Sequence, residues 1–358
     1  MIKYDTASFR VEARDGRLVG REKEHGPLKD DTRVLVRRLG ADLAETVSRA
    51  FDAIGAESVI QPGDRVAIKI NLGGGIHQVP SSYSDPAICE AIIEATRRLG
   101  GGPFVCEADM RGHIMHEKML RIRGYWEMLQ RNHVEFVNLS RGPTVEMTCR
   151  DLDIPLRLPE ILLRPDVKII SFAPPKHHWE CGITANQKNM YGAIADYRKS
   201  IYHRKYDRID KAVAAAARMM SPDINILATF DLGAGLGPHF CIPIEFNRMI
   251  VSKDMIRGDK AASEILGYPF HLVKYAMLNT AGRDPDYVLH PDSDWPEDRL
   301  LEEIHARSIS PRKVRFWKPL LYPQYFVPHR FQVAVYPHFE FLATWINHLA
   351  FRRRPHRA

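Results

Sequence analysis

The sequence is poor in the features that would place it quickly. Its 358 residues hold five cysteines, at positions 89, 106, 149, 181 and 241, and no two of them form a CxxC pair. A scattered, odd set argues for a reducing compartment and against a disulfide scaffold. It also excludes a self-contained iron–sulfur ligand run. No stretch approaches the run of about eighteen apolar residues that spans a membrane. The start, MIKYDTASFRVEARDGRL, mixes charged with apolar residues, so no signal peptide is expected and the expected location is cytoplasmic. Neither GxxxxGK[ST] nor HExxH occurs, which leaves P-loop nucleotide binding and a zincin-type metal site without support. There is no internal repeat and no low-complexity run.

What remains is an ordinary globular composition, 45% hydrophobic and 27% charged. The length suits two domains or one large α/β domain with additions. The net charge of +7 is unevenly placed. From Pro311 to Ala358 there are nine Lys/Arg and one acid, Glu340, leaving 42 basic against 43 acidic residues elsewhere. The basicity belongs to the tail, and the body is balanced.

Strand, glycine-rich turn and helix recur along the chain. Val34–Val36 reads as a strand and 42–54 as an amphipathic helix. Arg65–Leu72 is an apolar strand ending in three glycines. Ser84-Asp85-Pro86 is a helix start, with a capping side chain before a first-turn proline. Further strands are expected at GPFVCEAD, Val167–Ala173, INILATFDL and MIVSKD, with helices at 208–219 and RGDKAASEILGY. The pattern predicts an α/β fold: mainly parallel sheets with flanking helices, in Rossmann-like halves, followed by an aromatic, basic C-terminal tail. The expected divisions are an N-terminal extension (1–32), a first α/β lobe (33–160), a second (161–295) and an aromatic, Pro-rich basic segment (296–358). Within that segment VRFWKPLLYPQYFVPHRFQ suits extended structure and FEFLATWINHLAF a helix.

In open parallel sheets ligands bind beyond the carboxyl ends of the strands, and four polar loops fall there. Lys69 and Asn71 alternate with isoleucines in VAIKINL. A lysine there must meet an anion or carboxylate, whether a ligand or an internal partner. With the glycines that follow and the Ser84-Asp85 helix start, it offers a cradle for phosphate or carboxylate. The densest stretch is PPKHHWECGITANQKNMYG. His177 and His178 are adjacent and point in different directions, so one is expected to be functional and the other structural. An imidazole beside Glu180 suits acid–base work. Cys181 reads as a small buried thiol unless its thiolate is stabilised. Lys188 and Asn189 suggest a charge-and-amide clamp for an oxyanion, with Thr184 and His203 as further substrate contacts. DLGAGLGPH lacks dinucleotide spacing, so Gly237 and His239 are read as shaping a tight turn or a loop near ligand. A divalent metal is one candidate cofactor, with Glu107, Asp231 and Asp254 as candidate ligands beside His203.

These residues, in this order and spacing, resemble the bacterial and archaeal family known as "domain of unknown function 362", from about Val34 to about Leu289. The resemblance rests on GDRVAIKINL, Ser84-Asp85-Pro86, the strand into Glu107, Lys176-His177, Thr184, Lys188-Asn189 and Gly192. His203, Asp231, Gly237-Pro238 and the VSKD…GDKAASEILGY run complete it. It implies an α/β fold with a shared polar site. Many relatives carry an attached ferredoxin-like module and are described as iron–sulfur proteins, and this chain has no such module. The arrangement is also distantly similar to the amino-terminal part of lactate-racemase-like proteins, whose lysine and histidines serve a nickel cofactor and proton transfer.

Three functions are compatible with these features. The first is an enzyme acting on a small anionic metabolite by His/Lys acid–base chemistry, as an isomerase, lyase or addition-type catalyst, with specialised biosynthesis as its setting. The second is a metal- or iron–sulfur-dependent redox protein. The third is a binding protein whose basic aromatic tail meets a membrane surface or nucleic acid; the same tail would equally serve as a homodimer-packing element.

Overall fold

The computed structural model describes residues 1–23, 29–73, 79–110, 114–204, 208–238, 241–280, 282, 284–321 and 325–326. Its elements begin with β1 (Ile2–Asp5), β2 (Phe9–Arg14), β3 (Arg17–Glu22), β4 (Arg33–Arg38), α1 (Leu43–Ile54), β5 (Arg65–Lys69), α2 (Pro86–Arg98) and β6 (Gly102–Glu107). Next come α3 (Glu117–Ile122), α4 (Tyr125–Arg131), β7 (Phe136–Asn138), β8 (Thr144–Thr148), β9 (Pro155–Pro159), β10 (Val167–Ala173), β11 (Lys176–His178) and β12 (Gly182–Thr184). Then follow α5 (Asn186–Gly192), α6 (Arg208–Met219), β13 (Ile224–Ala234), β14 (Ile242–Ser252), α7 (Met255–Leu266), α8 (Lys274–Thr280), β15 (Val288–Leu289), α9 (Asp298–Ala306) and α10 (Pro311–Leu321).

The architecture is α/β with mixed sheets. The larger sheet runs β15-β4-β14-β13-β10-β5-β6-β7. Its half from β13 to β7 is parallel, whereas β14 is antiparallel to both β13 and β4. Strands from 33–160 and from 161–295 thus share one sheet. The hairpin β11–β12 joins it where Lys176 pairs with Gly233 of β13. A smaller sheet, β1-β2-β3-β8-β9, combines the first 22 residues with a later hairpin.

Local chemistry explains the helix starts. Asp42 accepts from the Glu45 N–H, Asp85 from those of Ala87 and Ile88, and Asp254 from those of Ile256 and Arg257, so each side chain caps its own helix. The period of the strands then sorts the core. In β5, Val66 and Ile68 pack beneath α1 and α2, while Ala67 and Lys69 face the opposite layer, which holds α5 and α6. That alternation sends a lysine into the interior. Of the stretch expected to be extended, residues 314–321 are instead helical, in a helix that starts with Pro311 at its first turn, where the missing N–H costs nothing, whereas the helix expected at FEFLATWINHLAF lies outside the described residues. Among the described residues no helix is long and apolar enough to cross a membrane.

Candidate functional site

A cavity of about 920 Å³, counting its open mouth, lies at the carboxyl ends of β5, β6, β10 and β13. Its walls include Asn71, Glu107, Lys176, His178, Trp179, Thr184, Lys188, Tyr191, Lys199, His203, Pro238 and Tyr325.

The rear wall is a buried ion pair. Lys69 Nζ lies 3.0 Å from Glu107 Oε1, and both side chains are at most 1% exposed. The ammonium also donates to the Ile70 carbonyl at 2.6 Å and to Asn189 Oδ1 at 3.0 Å, so each of its three N–H groups has an acceptor. Glu107 takes the N–H groups of Leu72 and Ala108 as well. Asn189 uses its amide nitrogen on Lys69 O, Ser171 Oγ and Phe172 O, tying α5 to two strands. Gly192 closes this corner: a Cβ there would stand 3.0 Å from Lys69 Nζ and 3.3 Å from Glu107 Oε1, so α5 approaches the pair only without a side chain.

Three further lysines reach the cavity, and none has a carboxylate partner among the described residues. Lys176 Nζ donates to Asn71 Oδ1 at 2.9 Å and to the Ser82 carbonyl. Burial, with the like charge of Lys188 adding, lowers it to about 8. Lys199 Nζ donates to the carbonyls of Asp109 at 2.9 Å and Gly192 at 2.6 Å, and burial lowers it to about 7. Half-buried Lys188 sits 4.3 Å from the Tyr191 ring centroid, and loss of water lowers its pKa too. The Thr184 hydroxyl, opposite Lys176 in the hairpin, is buried and has no hydrogen-bond partner among the described residues.

The two histidines diverge. His178 lines the cavity, and its Nδ1 accepts the N–H groups of Glu180 and Cys181, which leaves the ring hydrogen on Nε2. His177 turns away, with Nε2 against the Leu266 carbonyl and the Ser308 hydroxyl, each at 2.9 Å. Its Nδ1 is buried without a partner among the described residues, and burial lowers its pKa to about 4. Gly237 lies behind it rather than on the cavity, since a Cβ at this position would fall 2.0 Å from the His177 carbonyl.

On the mouth side, Glu180 accepts from His203 Nδ1 at 2.8 Å and from the Tyr325 hydroxyl at 2.7 Å. Burial would raise Glu180, but the charge and hydrogen bond of His203, aided by Tyr325 and Lys318, outweigh it and hold the carboxyl low. His203 Nε2 meets the Tyr191 hydroxyl, whose own hydrogen goes to the Lys199 carbonyl. His203 thus bridges the Glu180 carboxylate and the Tyr191 hydroxyl. The rings of His178, Trp179, Tyr325 and His203 stack in sequence, the last two 4.1 Å apart.

Several expected site residues sit elsewhere. Asn189 braces the wall through its bonds to Lys69, Asn71, Ser171 and Phe172. Ser84 Oγ bridges Asn71 N to the Phe172 carbonyl. Asp85 and Asp254 are occupied as helix caps, and Asp231 pairs with Glu245 across β13 and β14, off the cavity. Glu107, Asp231 and Asp254 thus do not converge. Among the described residues no group of three or more His, Cys, Asp or Glu side chains is placed to hold a metal ion. Cys181 is buried, with its thiol pushed well above the usual value. His239 lies outside the described residues. Conversely, Lys199, Tyr191, Trp179 and Tyr325 were not singled out beforehand. Lys176 stood in the motif, but only a strand register could show that it faces Thr184.

Fold and cavity define an α/β protein with a lysine-rich polar site on the carboxyl edge of a mainly parallel half-sheet. The model of the family described as "Domain of unknown function (DUF362)" matches residues 66–264, and the chain belongs to that family. A thylakoid-associated protein from Synechocystis sp. is 26% identical over 216 residues, 59% of this chain and 66% of that protein. The lactate racemase apoprotein from Thermoanaerobacterium thermosaccharolyticum is similar in structure over 65% of this chain and 57% of that one, with a TM-score of 0.41 and 12% identity. The chain therefore spans less than two thirds of the length of either relative.

Proposed function

We propose that this protein is an enzyme that binds a small anionic metabolite in the lysine-lined cavity and moves protons on it, in an isomerase-, lyase- or addition-type reaction. The observation that carries this reading is the imbalance of charge in the cavity. Lys69 is matched by Glu107 and His203 by Glu180, whereas among the described residues Lys176, Lys188 and Lys199 have only neutral partners, and the Thr184 hydroxyl has none. An anion supplies the missing acceptors. Lys176, Lys188 and Thr184 hold its oxygens. His178 Nε2–H donates to oxygen, and Lys199, near neutrality, takes or returns a proton. Glu180 and Tyr325 fix His203, and Asn71 positions Lys176.

Thermal-shift and calorimetric titration with small mono-, di- and tricarboxylates and phosphorylated acids tests the reading. At least one should stabilise the protein, with affinity falling as salt rises. Incubation with that ligand in D2O, followed by NMR, should then show exchange at the carbon next to its acid group. Failure of the whole set to bind would overturn the proposal.

A further inference from the structure

The four lysines around the cavity differ in how many acceptors the protein gives them, and the difference separates their roles. An ammonium has three N–H donors, whereas a neutral amine has two donors and a lone pair. Lys69 has three acceptors, one of them a carboxylate, and is built as an ammonium. Among the described residues Lys199 has two, both fixed backbone carbonyls, one just past the end of β6 and one at the end of α5. Two donors satisfied in this way leave the third position of the nitrogen for the lone pair. Lys176 also has two acceptors, but it stands across the hairpin from Thr184, whose buried hydroxyl lacks a partner. All three residues line the same cavity, so a ligand carboxylate that meets the third Lys176 N–H and the Thr184 O–H would lie in the same cavity as the Lys199 amine.

We infer that Lys199 is a nucleophilic amine that forms an imine with a small carboxylic acid bearing a ketone or aldehyde group, while Lys176 and Thr184 hold the carboxylate. The inference rests on the anion-binding reading above and narrows its substrate to oxo acids. The Nζ lone pair forms the C–N bond as the carbonyl π pair moves to oxygen. That oxygen takes one proton from the amine and one from the medium and leaves as water. Amine, carbonyl compound and proton thus give a protonated imine and water, with no oxidant or reductant. The protonated imine then withdraws electrons from the neighbouring carbon, which is the activation that proton transfer or bond cleavage requires. The lowered pKa of Lys199, about 7 against about 8 for Lys176, agrees with this division.

The test is reductive trapping. Whole protein is incubated with pyruvate, glyoxylate or succinic semialdehyde and cyanoborohydride, digested, and mapped by mass spectrometry. The expected result is a reduced adduct on the peptide carrying Lys199, with a yield that rises from pH 6 to 8 as the amine loses its proton. The adduct is lost in Lys199→Arg, which keeps donors toward both carbonyls, and is much weaker in Thr184→Val. Mapping on the unmodified chain needs no variant to fold. Adducts spread over surface lysines, or no adduct while small carboxylates still shift the melting temperature, would overturn the imine and leave the anion-binding reading standing. If no carboxylate binds at all, both fall.

Discussion

Replacing Lys69 by methionine probes the corner on which the cavity is built. The change keeps the length of the side chain and removes its charge. Three acceptors lose their donor: Glu107 Oε1, Asn189 Oδ1 and the Ile70 carbonyl. Asn189 Oδ1 keeps the Asn71 amide at 3.2 Å, so its loss is partial. Among the described residues Glu107 keeps only two backbone N–H groups for a carboxylate that is 1% exposed. A buried charge stripped of its partner costs about 3–5 kcal/mol. At about 1.4 kcal/mol per factor of ten, the folded-to-unfolded ratio drops by at least two orders of magnitude. Urea unfolding followed by circular dichroism measures this directly. Lys69→Met with Glu107→Gln should recover much of the loss, because no unpaired charge remains, giving a coupling of about 2–3 kcal/mol in the double-mutant cycle. A single variant that loses less than about 1 kcal/mol, or a double variant whose losses simply add, would refute the assignment of this pair as a mutually dependent buried unit.

Thr184→Val removes a hydroxyl that the protein leaves unpaired, so its stability should change by less than about 0.5 kcal/mol or rise slightly, while affinity for the bound anion, measured calorimetrically, falls about 5- to 30-fold. His177→Gln should leave anion binding intact and flatten the acid limb of the stability profile. The folded histidine is lowered to about 4 from 6.5, so between those values the unfolded chain binds more protons and stability falls as pH is lowered through that window. The effect is at most about 3 kcal/mol, read from urea midpoints at successive pH values.

The chain's own pattern determined much of this protein. Apolar alternation, glycine-rich strand ends and the Ser84-Asp85-Pro86 helix start marked out an α/β sheet with its polar loops on one edge, because those signals act over a few neighbouring residues. The same local logic made Lys69 a lysine that must find an anion, and distinguished His177 from His178 without saying which faced the cavity. Distance along the chain hid the rest. That Lys69 meets Glu107 follows only from β5 lying beside β6, and that Lys199 and Tyr325 reach the same cavity follows only from where distant turns come to rest. Asp254 looked available as a metal ligand in the sequence and is consumed by its helix end, whereas Thr184, expected as a substrate contact, is left without a hydrogen-bond partner among the described residues. Whether a polar side chain is spent on the fold or kept for a ligand is decided by the count of partners around it, and tertiary packing alone sets that count.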